Sequence, residues 1–251
     1  MLEGFHALKH ALRFGATVER AVTSDPDQLE ALAAELAPDL HGALLALVSP
    51  VSRDALRALA PQLPHTEVLA IARRPRLDVA AALRARLDRP VVVLEDPRHL
   101  GNVGAVVRVA AAADAAAVLI TGSRDPWDPA AVRGAGGLQF ALPVGSAGET
   151  TGAALEAIEV SAADSTSVGE TTRERPAAVR PLVALDPDGE PLRAGIVPPG
   201  ALLAFGTERH GLSDELLARA ELRLRLPMRE GVSSLNLATA VAATLYAGAL
   251  G

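Results

Sequence analysis

The chain has 251 residues, a formal net charge of −6 and no cysteine, and aromatic residues make up 2% of it. The lack of cysteine excludes disulfides and thiolate metal sites, and the shortage of aromatic rings argues against a nucleic-acid surface built on base stacking. Charged residues interrupt each apolar run before about 18 residues, so no membrane span is expected. The first residues lack the basic and apolar regions of a signal peptide, and we expect a cytoplasmic globular protein.

Residues 1–75 are predicted to form a small unit in which helices alternate with strands, as in layered α/β structures. Apolar residues recur at helical spacing over 4–14, and the sequence at 24–27, Ser-Asp-Pro-Asp, is typical of a helix start. A further helix is predicted after Ser49-Pro50. Strands are predicted over 18–22, 43–48 and 66–71.

Residues 76–89 are rich in arginine and alanine and are predicted to be a linker, helical around 79–87. Residues 90–251 are predicted to form a second α/β unit with a parallel sheet, because several of its strands are continuous apolar runs suited to burial on both faces. Its strands are predicted over 91–95, 117–121, 140–144, 159–162, 182–185, 202–205 and 222–226. Its helices are predicted over 103–113, 130–133, 213–220 and 235–249.

The first of three polar segments follows the predicted strand 91–95 and places Asn102, Gly104 and Arg108 at the start of a helix. Asparagine is a good N-cap, and a helix N-terminus attracts anions, so Asn102 and Arg108 are candidates for binding a phosphate group. The alternative is a capped helix with one solvated arginine. The glycine spacing does not match a dinucleotide-binding sequence.

The second segment follows the predicted strand 202–205 and contains Gly206, Glu208 and Gly211. Glu208 is predicted to lie at the carboxyl end of a parallel sheet, where open α/β folds bind ligands. Ser213 is expected to cap the next helix. The alternative is a turn with an exposed carboxylate.

The third segment begins at Pro227-Met228, turns at Gly231 and opens the last helix near Asn236. Ser233 or Ser234 is predicted to cap that helix, and capping alone is the alternative to a chemical role. Elsewhere the sequence has no P-loop, and its six histidines show no metal-binding spacing, so we predict no metal site.

Together, the three segments resemble the SpoU/TrmH family of RNA ribose 2′-O-methyltransferases, in the SPOUT superfamily. The resemblance covers residues 90–251, and residues 1–75 more loosely resemble the small ribosomal-protein-like domain that binds the RNA substrate in this family. The residues that match the family's three motifs in order are Asn102, Gly104, Arg108, Gly206, Glu208, Gly211, Leu212, Pro227, Met228, Ser234, Leu235 and Asn236.

The resemblance implies methylation of a ribose 2′-OH in structured RNA, either rRNA or tRNA, with S-adenosyl-L-methionine as the methyl donor. It implies a parallel-sheet SPOUT domain with a deep trefoil knot behind a small α/β/α domain, and a homodimer through the C-terminal domain that completes the active site. The implied cofactor-binding residues are Leu185, Ala204, Phe205, Gly206, Leu226, Met228, Ser234 and Leu235. The implied catalytic residues are Asn102, Arg108, Glu208, Ser234 and Asn236.

Arg108 is predicted to bind the phosphate beside the reacting ribose and to stabilise the developing alkoxide, because a guanidinium keeps its proton and is a poor general base. Since the chain is acidic overall, RNA contact would depend on a local arginine patch, predicted to contain Arg98, Arg108, Arg124, Arg133 and Arg209. Two alternatives remain: an RNA-binding homologue without turnover and, less favoured, a nucleotide-dependent α/β oxidoreductase.

Overall fold

Two β-sheets organise the chain, a four-stranded sheet near the N-terminus and a six-stranded sheet that follows it. The computed structural model describes residues 1–60, 62–153, 156, 180–207 and 210–249. Across these residues, no helix combines the length and apolar character that crossing a membrane requires.

The four-stranded sheet is mixed. Its strands are β1 (Leu2–Glu3), β2 (Val18–Thr23), β3 (Val48–Pro50) and β4 (Val68–Ala72), in the order β1-β4-β2-β3. β4 is antiparallel to β1 and β2, whereas β2 and β3 are parallel. The helices of this unit are α1 (Phe5–Arg13), α2 (Pro26–Leu36), α3 (His41–Leu47) and α4 (Arg53–Leu59). They bury Phe5, Leu8 and Leu44 completely.

The predicted strand over 43–48 is wrong, because most of it is helix α3 and only Val48 belongs to a strand. This run is apolar throughout, and a short apolar run does not distinguish a strand from a helix. The chain enters it through a 3-10 turn, Pro38–Leu40, that continues directly into α3. Leu44 is completely buried while its neighbour Leu45 is 37% exposed.

The six-stranded sheet is parallel throughout, as predicted. Its strands are β5 (Val91–Leu94), β6 (Ala117–Thr121), β7 (Val144–Gly148), β8 (Leu182–Pro191), β9 (Leu202–Phe205) and β10 (Leu222–Arg225), in the order β10-β8-β9-β5-β6-β7. The helices around it are α5 (Val79–Arg84), α6 (Leu100–Ala112), α7 (Pro129–Ala135), α8 (Asp214–Arg219) and α9 (Leu237–Ala249). Every residue of β5, β6 and β9 is buried, which explains why β5 and β9 are uninterrupted apolar runs and β6 is apolar up to Thr121.

The predicted strand over 140–144 is also wrong, because the strand begins at Val144. Pro143 has no N–H to donate to a sheet, and Phe140 ends a 3-10 turn, Leu138–Phe140. The ring of Phe140 packs edge-on against Trp127 with centroids 5.1 Å apart. The predicted strand over 159–162 lies outside the described residues.

The N-terminal unit packs against α7 and the turn that follows it. The Nδ1–H of His10 donates a hydrogen bond to the carbonyl of Gly136 at 2.7 Å. The guanidinium of Arg133 donates to both carboxylate oxygens of Glu3, at 2.8 and 3.0 Å. Gly137 lies so close to Ala7 that a Cβ would overlap the Ala7 carbonyl, so glycine is needed for this contact.

Candidate active site

A cavity of about 760 Å³ opens where residues of β8 meet the loops after β9 and β10. It is lined by each predicted cofactor-binding residue except Ala204, namely Leu185, Phe205, Gly206, Leu226, Met228, Ser234 and Leu235. Ala204 is completely buried in the sheet, because its side chain points into the apolar cluster beneath α8. The second and third motifs therefore form the walls of one cavity.

The loop of the second motif folds back on itself. The N–H of Thr207 donates to the carbonyl of Gly211 at 3.1 Å, and the N–H of Gly211 donates to the carbonyl of Thr207 at 3.0 Å. A Cβ on Gly206 would overlap the backbone of Gly211, so glycine allows this close approach. The predicted catalytic residue Glu208 and the patch residue Arg209 lie outside the described residues.

Ser213 caps α8 as predicted, because its hydroxyl accepts a hydrogen bond from the N–H of Leu216 at 3.3 Å. The predicted cap at Ser233 or Ser234 is wrong, because α9 begins only at Leu237. The side chain of Asn236 accepts a hydrogen bond from the N–H of Ala238 at 3.0 Å instead. Ser234 is therefore left on the cavity wall, where its hydroxyl can face a ligand.

The first motif joins the third through a pair of asparagines. The side-chain amide of Asn236 donates to the side-chain oxygen of Asn102 at 3.1 Å. Asn102 is not the N-cap that the sequence predicts, because α6 already begins at Leu100 and His99 occupies the cap position. The N–H of Asn102 donates to the His99 carbonyl at 2.9 Å, as expected for a residue inside the first turn, and its side-chain oxygen accepts from Asn236.

Gly104 is required by the packing of α6 on α7. A Cβ at this position would overlap the carbonyl of Ala131 and lie 2.9 Å from the N of Ala135. On the same α6 face, the carbonyl of Gly101 lies 3.0 Å from the Cβ position of Gly134. The glycine of the first motif thus brings α6 and α7 into backbone contact, which fixes the direction of the helix that carries Asn102.

Arg108 is not among the residues that line the cavity. Its side chain is exposed on α6, and no described residue forms a hydrogen bond or ion pair with it. Arg108 lies near α1, which carries His6. Burial lowers the pKa of His6 most, and the positive charges of Lys9 and then Arg108 lower it further.

Of the predicted catalytic residues that the structure describes, Ser234 lines the cavity, whereas Asn102, Asn236 and Arg108 do not. Asn236 follows the lining residue Leu235 directly and bonds to Asn102, so the asparagine pair is joined to the cavity wall, whereas Arg108 has no such link.

Asp186 is a cavity residue that the sequence reasoning missed. It lies on β8, one position beyond Leu185, and its side chain is 10% exposed. Its carboxylate accepts hydrogen bonds from the guanidinium of Arg223 on β10. The signal that could have identified it is an acid directly after an apolar strand of a parallel sheet. In the described part of the chain, no three metal-ligating side chains form a cluster.

Comparison with known protein families gives a match over residues 89–246 to the model of the SpoU rRNA methylase family. The chain belongs to the SpoU rRNA methylase family. Among curated relatives of this SpoU protein is the 23S rRNA (uridine(2479)-2′-O)-methyltransferase of Streptomyces viridochromogenes, 30% identical over 72% of this chain. The 23S rRNA (guanosine(2553)-2′-O)-methyltransferase RlmP of Bacillus subtilis is 24% identical over 98% of this chain and 86% of its own length. The matched region of the Streptomyces relative is 58% of that protein's length.

Solved structures support the assignment of the fold. The SpoU methyltransferase AviRb of Streptomyces viridochromogenes, in complex with the cofactor AdoMet, has a TM-score of 0.75 and 25% identity, with 98% of this chain and 87% of that chain covered. A second structure, an RNA 2′-O ribose methyltransferase, has a TM-score of 0.71 and 27% identity, covering 98% of this chain and 86% of that chain. The parallel α/β architecture of this SpoU protein is therefore that of known SpoU methyltransferases.

Proposed function

We propose that this SpoU protein transfers a methyl group from S-adenosyl-L-methionine to a ribose 2′-OH in structured RNA. Among the two RNA classes that the sequence left open, the named relatives favour ribosomal RNA over transfer RNA. The observation that carries the proposal is the cavity between β8 and the loops after β9 and β10, in a fold shared with a neighbour crystallised with AdoMet.

The cavity fits this cofactor in size and in chemistry. Its volume of about 760 Å³ is within the range of about 300–1,000 Å³ that is usual for small-molecule sites. Leu226, Met228 and Leu235 supply apolar surface for an adenine ring, and the backbone of Gly206 supplies polar groups. Asp186 adds acceptor oxygens to the lining, and its charge is balanced by the ion pair with Arg223. When bound, the cofactor supplies an electrophilic methyl group.

The chain's own residues position the ribose and stabilise charge. Asn102 and Asn236 form a fixed amide pair beside the cavity, and Ser234 presents a hydroxyl on its wall. We propose that the guanidinium of Arg108 binds the neighbouring phosphate and stabilises the alkoxide that develops as the 2′-OH loses its proton. Glu208 is proposed to orient Arg108 or the ribose.

Arg108 lies outside the cavity of its own chain, and this supports a homodimer whose C-terminal domains complete the site together. The exposed apolar side chains of Val232 and of Tyr246 on α9 give such an interface apolar surface to bury. We further propose that the C-terminal segment threads through a loop to form the trefoil knot of the superfamily.

We propose that residues 1–75 bind the RNA substrate in the cytoplasm, that residues 76–89 link them to the methyltransferase domain, and that exposed arginines assist. Arg124 is exposed, whereas Arg98 pairs with Asp96 at 3.4 Å and Arg133 with Glu3 at 2.8 Å. RNA binding is expected to weaken steeply as salt rises, because each phosphate contact releases counterions. A flat salt response would contradict contact through a phosphate-binding patch.

Isothermal titration with S-adenosylmethionine, followed by a methyl-transfer assay on total RNA, tests the proposal. Binding and transfer are expected. Binding of RNA without transfer would favour a non-catalytic homologue, and binding of a nicotinamide cofactor instead would favour an oxidoreductase. Mapping the 2′-O-methyl group lost from the RNA of a deletion strain then identifies the modified nucleotide.

A further inference from the structure

One buried carboxylate at the carboxyl edge of the six-stranded sheet contacts both ends of the second-motif loop. Glu95 directly follows β5 and is 6% exposed. Its backbone N–H donates to the carbonyl of Phe205 at 2.9 Å, where β9 ends and the loop begins. Its carboxylate accepts from the N–H and the hydroxyl of Ser213, at 2.7 and 2.6 Å, where the loop ends and α8 begins.

A third donor completes the surroundings of this carboxylate. The hydroxyl of Thr151, which follows β7, donates to the same oxygen of Glu95 that the Ser213 hydroxyl contacts. Burying a carboxylate is costly unless donors satisfy it, so three donors hold Glu95 in one position. A backbone N–H cannot rotate to become an acceptor, and this makes the bond from Ser213 N–H the one that depends on a carboxylate oxygen.

We propose that Glu95 is a positioning residue that holds the second-motif loop against the sheet as one wall of the cofactor cavity. This inference rests on the proposed function, because it assigns that wall to S-adenosylmethionine. Thr207, Gly211 and Leu212 line the cavity. The bonds between Thr207 and Gly211 close the loop on itself, whereas the carboxylate of Glu95 anchors the loop's far end to β5. Loss of the carboxylate releases that end and leaves the internal bridge intact.

The variant Glu95→Gln tests this role, because its single amide oxygen replaces only one of the two carboxylate oxygens, and the negative charge that strengthens the bonds from Ser213 and Thr151 is lost. We expect S-adenosylmethionine to bind about tenfold more weakly by isothermal titration, which corresponds to the loss of a hydrogen bond to a charged group. The KM for S-adenosylmethionine should rise more than kcat falls. Amide hydrogen exchange should accelerate at Ser213 relative to the strands, whereas Thr207 and Gly211, whose N–H groups form the internal bridge, should exchange as in the wild type.

Thr151→Val is the matched control, since it removes the third donor but keeps both bonds from the carboxylate to Ser213. Its affinity for S-adenosylmethionine is expected to stay within about twofold of the wild type. Ser213→Ala keeps the backbone donor and removes the hydroxyl, so its loss of affinity should be smaller than that of Glu95→Gln. The double variant should bind S-adenosylmethionine about as weakly as Glu95→Gln alone.

Wild-type affinity and wild-type amide exchange in Glu95→Gln would overturn the proposed positioning role of Glu95. If Glu95→Gln does not fold, Ser213→Ala decides, and unchanged affinity together with unchanged exchange in that variant overturns the inference. Failure of the wild-type protein to bind S-adenosylmethionine overturns the proposed function instead. In that case the exchange measurement, which needs no ligand, still tests whether Glu95 holds the loop.

Discussion

The two edges of the six-stranded sheet use polar groups in opposite ways. At the amino edge, Arg180 is 6% exposed, and its guanidinium donates to the carbonyls of Leu83, Ala85, Arg86, Arg89 and Gly200. At the carboxyl edge, exposed groups such as the Ser234 hydroxyl surround an open cavity. A polar group whose partners all belong to the chain contributes to stability, whereas one that faces a cavity is available to a ligand.

Replacing Arg108 with alanine is the change from which we expect the largest effect. Methyl transfer should fall about 10²–10³-fold, as for the loss of a group that stabilises a developing oxyanion. Binding of S-adenosylmethionine should survive, because Arg108 does not line the cavity. Single-turnover transfer assays and isothermal titration measure the two quantities separately. Arg84→Ala on α5, an exposed arginine outside the unit proposed to bind RNA, serves as the control, and full activity in Arg108→Ala would refute the assigned role.

Substitutions at the amino edge should change the free energy of unfolding and not the rate of methyl transfer. Arg180→Met fills similar volume but leaves several buried carbonyls without a donor, so the free energy of unfolding should fall by about 3 kcal/mol. Arg86→Met is the matched control at the same edge, because Arg86 is exposed and forms only a surface ion pair with Asp114 at 2.6 Å. Urea denaturation measures both. Equal losses in the two variants would show that the buried hydrogen bonds of Arg180 add nothing.

The sequence predicts the parts of this architecture that depend on local pattern. β5 and β9 were predictable because a strand buried on both faces must be apolar at each position. The start of α2 was predictable because Asp25 precedes a proline in the first turn, and its side chain does accept from the N–H of Gln28 at 2.9 Å. The motif residues that line the cavity were identified through family resemblance and not through pattern alone.

What the sequence did not predict depends on distant partners. Nothing local separates Arg180 from the exposed arginines, since its partners are carbonyls remote in the sequence. Asn102 looks like an N-cap until Asn236 is placed beside it. Glu95 reads as the end of a strand, and its contact with Ser213 spans 118 positions in the chain. A short stretch of sequence is compatible with either interpretation of such a residue, and only the tertiary contact shows which one is right.

Gly104 should affect both stability and methyl transfer. It lies on the face of α6 that packs on α7, and α6 also carries Asn102. Gly104→Ala should lower the free energy of unfolding by about 2 kcal/mol, since the added methyl group overlaps backbone atoms that cannot move freely. It should also weaken methyl transfer by tilting α6. Gly101→Ala on the same helix meets nothing within 4 Å and should be neutral or slightly stabilising. Thermal unfolding of both variants separates steric overlap from helix propensity.

The smallest effect is expected away from both edges, where α1 meets α7. Burial lowers the pKa of His10, and the positive charges of Lys9, His6 and Arg13 add to this, although its bond to the Gly136 carbonyl opposes them. A histidine whose pKa is lower in the folded than in the unfolded state binds protons less readily when folded. The free energy of unfolding should therefore be constant above about pH 6.5 and fall as the pH drops below it.

His10→Asn keeps an N–H donor for Gly136 and removes the titrating ring. Urea denaturation should therefore show that the free energy of unfolding of this variant depends less on pH between about pH 7.5 and 5 than that of the wild type. A pH dependence in His10→Asn as steep as that of the wild type would contradict the assignment to His10.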